Sequence, residues 1–333
     1  MGLIAIQPDN YGEGDSSSPI WSRLLREAGH EIREINVYRA DILGQLEGCH
    51  GFMWRHAHLP HMRQIARRIL PVIEKELDLE VYPDQATCWH YDDKIAQAFL
   101  LNAAGIPVPQ TWVWFEKDSA LEWAQKAEYP LVLKLFSGAG STNVRLINSK
   151  IEARDWIERL FTKGVANLDI TTSGFLARVK RSIQALLENE PVHPWELHKN
   201  YVLLQEFLPD NEFDTRITVI GDRAFGYRRM NRPGDFRASG SGNFDIDPLK
   251  IDEDFVRLAF DVAEKLGVQS VAIDGPKKHS TPVVGEISYT YVSWMVQSCP
   301  GHWDRQLNWH EGRMWPEEAQ IQDFLKRLGN KGI

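Results

Sequence analysis

Two short stretches near the end of the chain decide the reading: Val271-Ala272-Ile273-Asp274 and Pro282-Val283-Val284-Gly285-Glu286-Ile287-Ser288. Each is an apolar run that finishes in a carboxylate. Side chains alternate along a strand, and neighbouring antiparallel strands place residues directly opposite one another. The two runs therefore predict adjacent strands with Asp274 and Glu286 side by side and Ser288 one pleat further on the same face. Magnesium takes one or two carboxylates and completes its shell with water and substrate phosphate oxygens. Acids at strand ends are common, so the pair acquires meaning only from the rest of the chain.

Upstream lie parts that suit a phosphate. Leu131-Val132-Leu133-Lys134-Leu135 is an apolar strand interrupted by one lysine, which is costly to bury unless an anion meets it. Ser137-Gly138-Ala139-Gly140-Ser141 follows at once. Its glycines let backbone N–H groups turn inward around phosphate oxygens, and its serines add donors. Neither a Walker pattern nor a dinucleotide fingerprint is present. A further strand, Tyr201 to Leu208, leads into Pro209, then Phe213 to Ile220, a Gly221-Asp222 turn, and Arg223 to Arg229. Alternation puts Asp214 and Arg216 on one face. The segment Arg228 to Arg237 carries four arginines beside a glycine-rich stretch, a composition that fits a phosphate lid.

At 333 residues the chain suits two or three domains, or one large α/β unit with lobes, and an apolar fraction of 43% is ample for a core. A net charge of −8 argues against a nucleic-acid surface. Cys49, Cys88 and Cys299 are scattered, which excludes a disulfide framework or zinc motif by spacing. No signal peptide and no bilayer-spanning apolar run is visible, so the expectation is a cytoplasmic, reduced, membrane-free protein. Residues 1–90 alternate strand and helix, which predicts a parallel sheet with ligand-accessible loops at its carboxyl ends. Asp9–Ser18 and Arg55-His56-Ala57-His58 are the polar loops there, the second a candidate substrate edge. The helix from His61 should kink or restart at Pro71. Asp92 is expected to cap the helix that ends near Gly105.

The order of these elements resembles the ATP-grasp superfamily, most closely its carboxylate–amine ligases related to ribosomal-protein glutamylating enzymes and glutathione synthetases. The matching stretches are Asp93-Lys94 with Gly105 to Pro109, Leu133-Lys134 with Gly138 to Ser141, and Gln205 to Leu208 with Asp214-Thr215-Arg216. Gly234 to Arg237, Asp274 and Glu286 to Ser288 complete the series. The implied fold is α/β with α+β lobes: a parallel domain over 1–90, a small ATP-grasp lobe over 91–208 with an insertion near 151–200, and a large lobe over 209–333. The resemblance implies that Lys94 and Lys134 contact nucleotide phosphates, Lys134 reaching toward the adenine as well. Gly138, Gly140 and Ser141 would cradle phosphate. Gln205 and the backbone of Glu206, Phe207 and Leu208 would edge the adenine, with Asp214 facing the ribose. Arg216 and Arg237, helped by Arg229, would neutralise the γ-phosphate and the developing oxyanion.

Asp274, Glu286 and Ser288 would hold one or two magnesium ions, with manganese able to substitute. Ser288 stands where the family places asparagine, which leaves a second ion in question. The implied activity is an ATP- and magnesium-dependent ligase that forms a C–N bond through an acylphosphate. Its partners would be a small-molecule, sugar or peptide carboxylate and an amine. A kinase using the same cradle and a nucleotide-binding regulator without turnover are the alternatives. The 151–200 insertion reads as a surface element, an acceptor-binding element or the seam of a homodimer.

Overall fold

The computed structural model describes residues 2–9, 16–138, 143–166, 168, 196–232, 234, 236–237 and 242–332. The 169–195 stretch of the expected insertion lies outside the described residues. By contacts the chain divides into two compact units, Met1–Tyr91 with Glu212–Ile333, and Asp92–Asn211.

In the first unit, β1 (Leu3–Ile6), β2 (Glu31–Glu34), β3 (Gly51–Met53) and β4 (Glu80–Tyr82) form a parallel sheet in the order β2-β1-β3-β4. A parallel sheet is covered on both faces, and its strands read as continuous apolar runs for that reason. Ile4 and Ile6 pack with Trp21 and Leu25 of the helix Ser18–Glu27 and with Ile321, Phe324 and Leu328 of the last helix, Pro316–Asn330. Ala5 and Phe52 face the other way, onto Ala66, Leu70 and Ile73 of the helix Pro60–Lys75. That helix continues through Pro71 instead of restarting there.

The same unit holds a larger sheet. Its order is β15-β12-β9-β10-β16-β17, with β11 also on β10: β9 (Phe213–Ile220), β10 (Arg223–Met230), β11 (Phe244–Asp245), β12 (Ser270–Gly275), β15 (Glu286–Ser288), β16 (Gly301–Trp303) and β17 (Trp309–Glu311). All its pairings are antiparallel. Between β12 and β15, β13 (Lys277–Lys278) and β14 (Thr281–Pro282) make a small hairpin whose turn residues His279 and Ser280 have positive φ. The helix Glu253–Leu266 buries Phe255, Val256, Ala259 and Val262, and stops at Gly267 in the left-handed region.

In the second unit, β5 (Thr111–Trp114), β6 (Leu131–Lys134), β7 (Val144–Ile147) and β8 (Val202–Glu206) form an antiparallel sheet in the order β5-β8-β6-β7. Leu131 and Leu133 alternate inward onto Ala120 and Ala124 of the helix Lys117–Lys126 and onto Trp156, Ile157 and Leu160 of the helix Lys150–Thr162. The helix Lys94–Ala103 is capped by Asp93, whose carboxylate accepts from Ala96 N, and not by Asp92 as expected.

Candidate functional site

The carboxylate set lies in the larger sheet of the first unit. Asp274 on β12 is directly opposite Glu286 on β15, and Ser288 is opposite Ala272, two residues away on the same face. On its other side Asp274 is opposite Arg216 of β9, while Asp214 of β9 is opposite Arg229 of β10. Register alone therefore gathers three acids, Asp214, Asp274 and Glu286, and two bases, Arg216 and Arg229. Arg216 grips Asp274 through Nε and Nη2. Arg229 binds Asp214 through Nε at 2.7 Å and Nη2 at 2.5 Å, and its Nη2 is also 2.8 Å from Asp274 Oδ2. Forked guanidinium–carboxylate contacts of this kind are directional as well as strong.

The environment separates the two acids. Burial alone would raise the Asp274 pKa, but the guanidinium groups of Arg216 and Arg229 outweigh it and hold it down at about 2. Asp214 is pushed up instead, by burial first and by the neighbouring Asp274 charge, against the pull of Arg229. Tyr227, opposite Arg216 on β10, has no counterpart among the expected site residues. It is 1% exposed, and its phenol pKa is raised by burial against Arg216 and Arg229.

A hard cation fits the carboxylate pair, because Asp274 and Glu286 are hard oxygen donors at opposed positions on adjacent strands. Ser288 fits less well. Its hydroxyl donates to Thr290 O at 2.8 Å and accepts from Thr290 N at 3.2 Å, so it is engaged in its own turn. Among the described residues no group of three or more His, Cys, Asp or Glu side chains could hold a metal.

The second set lies in the second unit. Lys134 ends β6, half-buried, opposite Val144 of β7 and Leu203 of β8. Lys94, 6% exposed, donates from Nζ to Gly138 O at 3.0 Å, and its backbone N–H donates to Phe136 O at 2.8 Å. Asp92 accepts from Gly138 N at 2.8 Å, Ser137 Oγ donates to Glu196 at 2.7 Å, and Asn143 Nδ2 donates to Ser137 O at 2.9 Å. The root of the glycine stretch is thus fixed from several sides. Gly140 and Ser141 lie outside the described residues. Gln205 and Glu206 close β8, and Phe207 and Leu208 follow it. Glu206 pairs with Gln110 through its N–H at 2.8 Å and its carboxylate at 2.7 Å, and Gln205 donates to Thr111 Oγ1 at 2.9 Å. Arg237 lies beyond the strands that carry Arg216 and Arg229, and its carbonyl accepts from Arg232 N.

The Asp92, Ser137–Glu196 and Tyr227 contacts have no local sequence signal, since each joins residues distant along the chain or depends on strand register. A test of the lysine assignment is direct. Lys134→Ala is expected to weaken Mg-ATP binding by about 10- to 100-fold, the effect of losing a charge-assisted contact of about 1.5–3 kcal/mol. Calorimetric titration showing unaltered affinity would remove Lys134 from the phosphate set.

The family model of the RimK-like ATP-grasp domain matches residues 91–290, more than half of the chain. The chain belongs to this family. Membership brings ATP as the nucleotide. An α-aminoadipate–LysW ligase, LysX, from Saccharolobus solfataricus is 27% identical over 207 residues, which are 62% of this chain and 64% of that protein. The chain thus spans less than two thirds of that curated relative. A RimK domain ATP-grasp protein from Sphaerobacter thermophilus superposes with a TM-score of 0.56 at 17% identity, over 97% of this chain and 99% of the other. D-alanine–D-alanine ligase from Bacillus anthracis, complexed with ATP, does so with a TM-score of 0.58 at 12% identity, over 99% of both. Those two likenesses show the ATP-grasp fold. Among the described residues no helix is long and apolar enough to cross a membrane.

Proposed function

We propose that this RimK-like ATP-grasp protein is an ATP- and magnesium-dependent ligase that joins a carboxylate to an amine through an acylphosphate. The observation that carries the reading is Asp274, paired across the sheet with Glu286 and gripped by Arg216 and Arg229. Carboxylates and guanidinium groups at one place suit a reaction whose demand is phosphate charge. The relative named as an α-aminoadipate ligase supports an amino-acid reactant.

In this reading Asp274 and Glu286 hold magnesium, and Arg216, Arg229 and Arg237 face the γ-phosphate. Bound magnesium neutralises phosphate charge. Lys94 acts on phosphate through the glycine root it holds, and Lys134 contacts phosphate itself. The hinge Gln205 to Leu208 takes the adenine edge and Asp214 the ribose. A substrate carboxylate oxygen attacks the γ-phosphorus and ADP leaves. The amine then attacks the acyl carbon, phosphate leaves, and one proton is released. The protein contributes position and fixed charge, and no covalent nucleophile of its own.

Hydroxylamine is expected to replace the amine and trap the acylphosphate as a hydroxamate, with ADP and free phosphate released. Arg237→Ala should lower trapping far more than ATP binding, because its partner is charge that develops in the transition state. Phosphorus NMR of the reaction reads the outcome, and a stable phosphoester without hydroxamate would sink the ligase assignment.

A further inference from the structure

The strand that carries Glu286 is three residues long and is the last of its sheet. It pairs with β12 alone, at Ala272–Ser288, Ile273–Ile287 and Asp274–Glu286. So few pairings, all on one side, leave a strand dependent on what anchors the chain beyond it. That chain turns at Ser288–Thr290 and runs through Tyr291 and Val292 into the short helix Ser293–Ser298. Val292 and Trp294 on this stretch are exposed, so apolar burial holds it only in part.

Polar anchors reach it from the last helix, Pro316–Asn330. Phe324 and Leu328 of that helix pack with Ile4 and Ile6 of the parallel sheet, which gives the helix a base of its own. Near its start Glu317 and Gln320, three residues apart, share a face. Gln320 Nε2 donates to the Tyr291 hydroxyl at 2.8 Å, and that hydroxyl lies 2.7 Å from Ser270 Oγ at the start of β12. Ser293 Oγ donates to Glu317 Oε1 at 2.6 Å. The same two side chains also hold the helix Ser18–Glu27: Trp21 Nε1 donates to Gln320 Oε1 at 2.8 Å, and Ser17 Oγ donates to Glu317 Oε1 at 2.8 Å. Glu317 is 1% exposed, and its Oε2 has no hydrogen-bond partner among the described residues. Burying an acid in this way is costly, and the positive ends of two helices, its own and the one that Ser17 opens, offset only part of the cost.

We infer that Glu317 is a positioning residue of the metal site, with Gln320 as its second. Through Ser293 and Tyr291 they fix the segment that leaves β15, and so the place where that strand presents Glu286. Two hydroxyls converging on one buried carboxylate oxygen specify position, which is what a buried polar network supplies when apolar packing would be the more stable choice. The inference rests on the ligase reading, in which Asp274 and Glu286 hold magnesium.

The probe is manganese, whose dissociation constant in the presence of ADP is measured on the full chain by electron paramagnetic resonance. ADP affinity without metal and the unfolding midpoint are measured alongside. Ser293→Ala and Glu317→Leu are each expected to raise the manganese dissociation constant about tenfold, the usual effect of losing a group that orients a metal ligand. Metal-free ADP affinity should not change. Glu317→Gln keeps the acceptor oxygen and should restore manganese binding. Ser17→Ala is the matched control, because it takes a hydroxyl of similar burial from the same oxygen but on a different element. It should leave the manganese affinity as in wild type. Ser293→Ala decides the matter if Glu317→Leu does not fold. Unaltered affinity in Ser293→Ala, an equal loss in Ser17→Ala, or no rescue by Glu317→Gln would each overturn the inference. Glu286→Gln separates it from the reading beneath it. Manganese binding lost there but intact in Ser293→Ala keeps the metal assignment and removes the inference, and a wild-type protein that binds no manganese removes both.

Discussion

Asp274→Asn is expected to lose both turnover and stability, whereas Glu286→Gln should lose turnover alone. Asp274 faces two guanidinium groups, and Arg229 also binds Asp214. Removing its charge takes from Arg216 and Arg229 the carboxylate they share. Breaking a buried pair from one side costs about 3–5 kcal/mol. Glu286 is half-buried on β15, the last strand of its sheet, where a charge-to-amide change costs less than about 1 kcal/mol. Urea unfolding of the two variants, with magnesium-dependent ATP consumption measured alongside, separates the effects. Wild-type turnover in Glu286→Gln at limiting magnesium would make the carboxylate pair structural. An unfolding midpoint of Asp274→Asn equal to wild type would mean the arginine contacts contribute nothing to the fold.

The Asp274–Glu286 pairing is legible in the sequence because strand alternation and two short apolar runs determine it locally. The parallel sheet of the first ninety residues is legible from its alternation with helices and from the apolar runs of β1 and β3, although β2 is the polar run Glu31-Ile32-Arg33-Glu34. What covers that sheet is not. Phe324 and Leu328 come from the last helix, some three hundred residues from the Ile4 they pack against, and no periodicity announces the partner. The charge cluster shows a subtler limit. Alternation places Asp214 and Arg216 on one face of β9, but their partners follow from the registers of β10 and β12, and one residue of slip would exchange every contact. Asp92 and Asp93 show it again. Either can cap a helix, and a positive φ at Asp92 together with the Gly138 amide assigns the cap to its neighbour. The contact from Lys94 Nζ to the Gly138 carbonyl, 44 residues away along the chain, has no local sequence signal either.

Arg229→Met is expected to be strongly destabilising and to steepen the gain in stability as the pH falls toward 4. The Arg229 side chain is 6% exposed and joins Asp214 to Asp274. Methionine keeps the bulk but removes the guanidinium that joins the two carboxylates, at a cost of about 3–5 kcal/mol near neutral pH. Asp214 already has a raised pKa from burial and from Asp274, and loss of Arg229 removes the principal force holding it down. A carboxyl whose folded pKa exceeds its unfolded value of about 3.9 binds protons more readily when folded. Stability then rises as the pH falls through the folded pKa, and levels off near the unfolded one. Wild-type Asp274 acts in the opposite sense: its pKa of about 2 contributes stability above about 3.9 that is lost as the pH falls toward 2. Between pH 7 and 4 the variant should therefore gain more stability than wild type and recover part of its deficit. Denaturant unfolding of both proteins across that range measures the difference, and parallel curves would show that Arg229 does not govern the ionisation of Asp214.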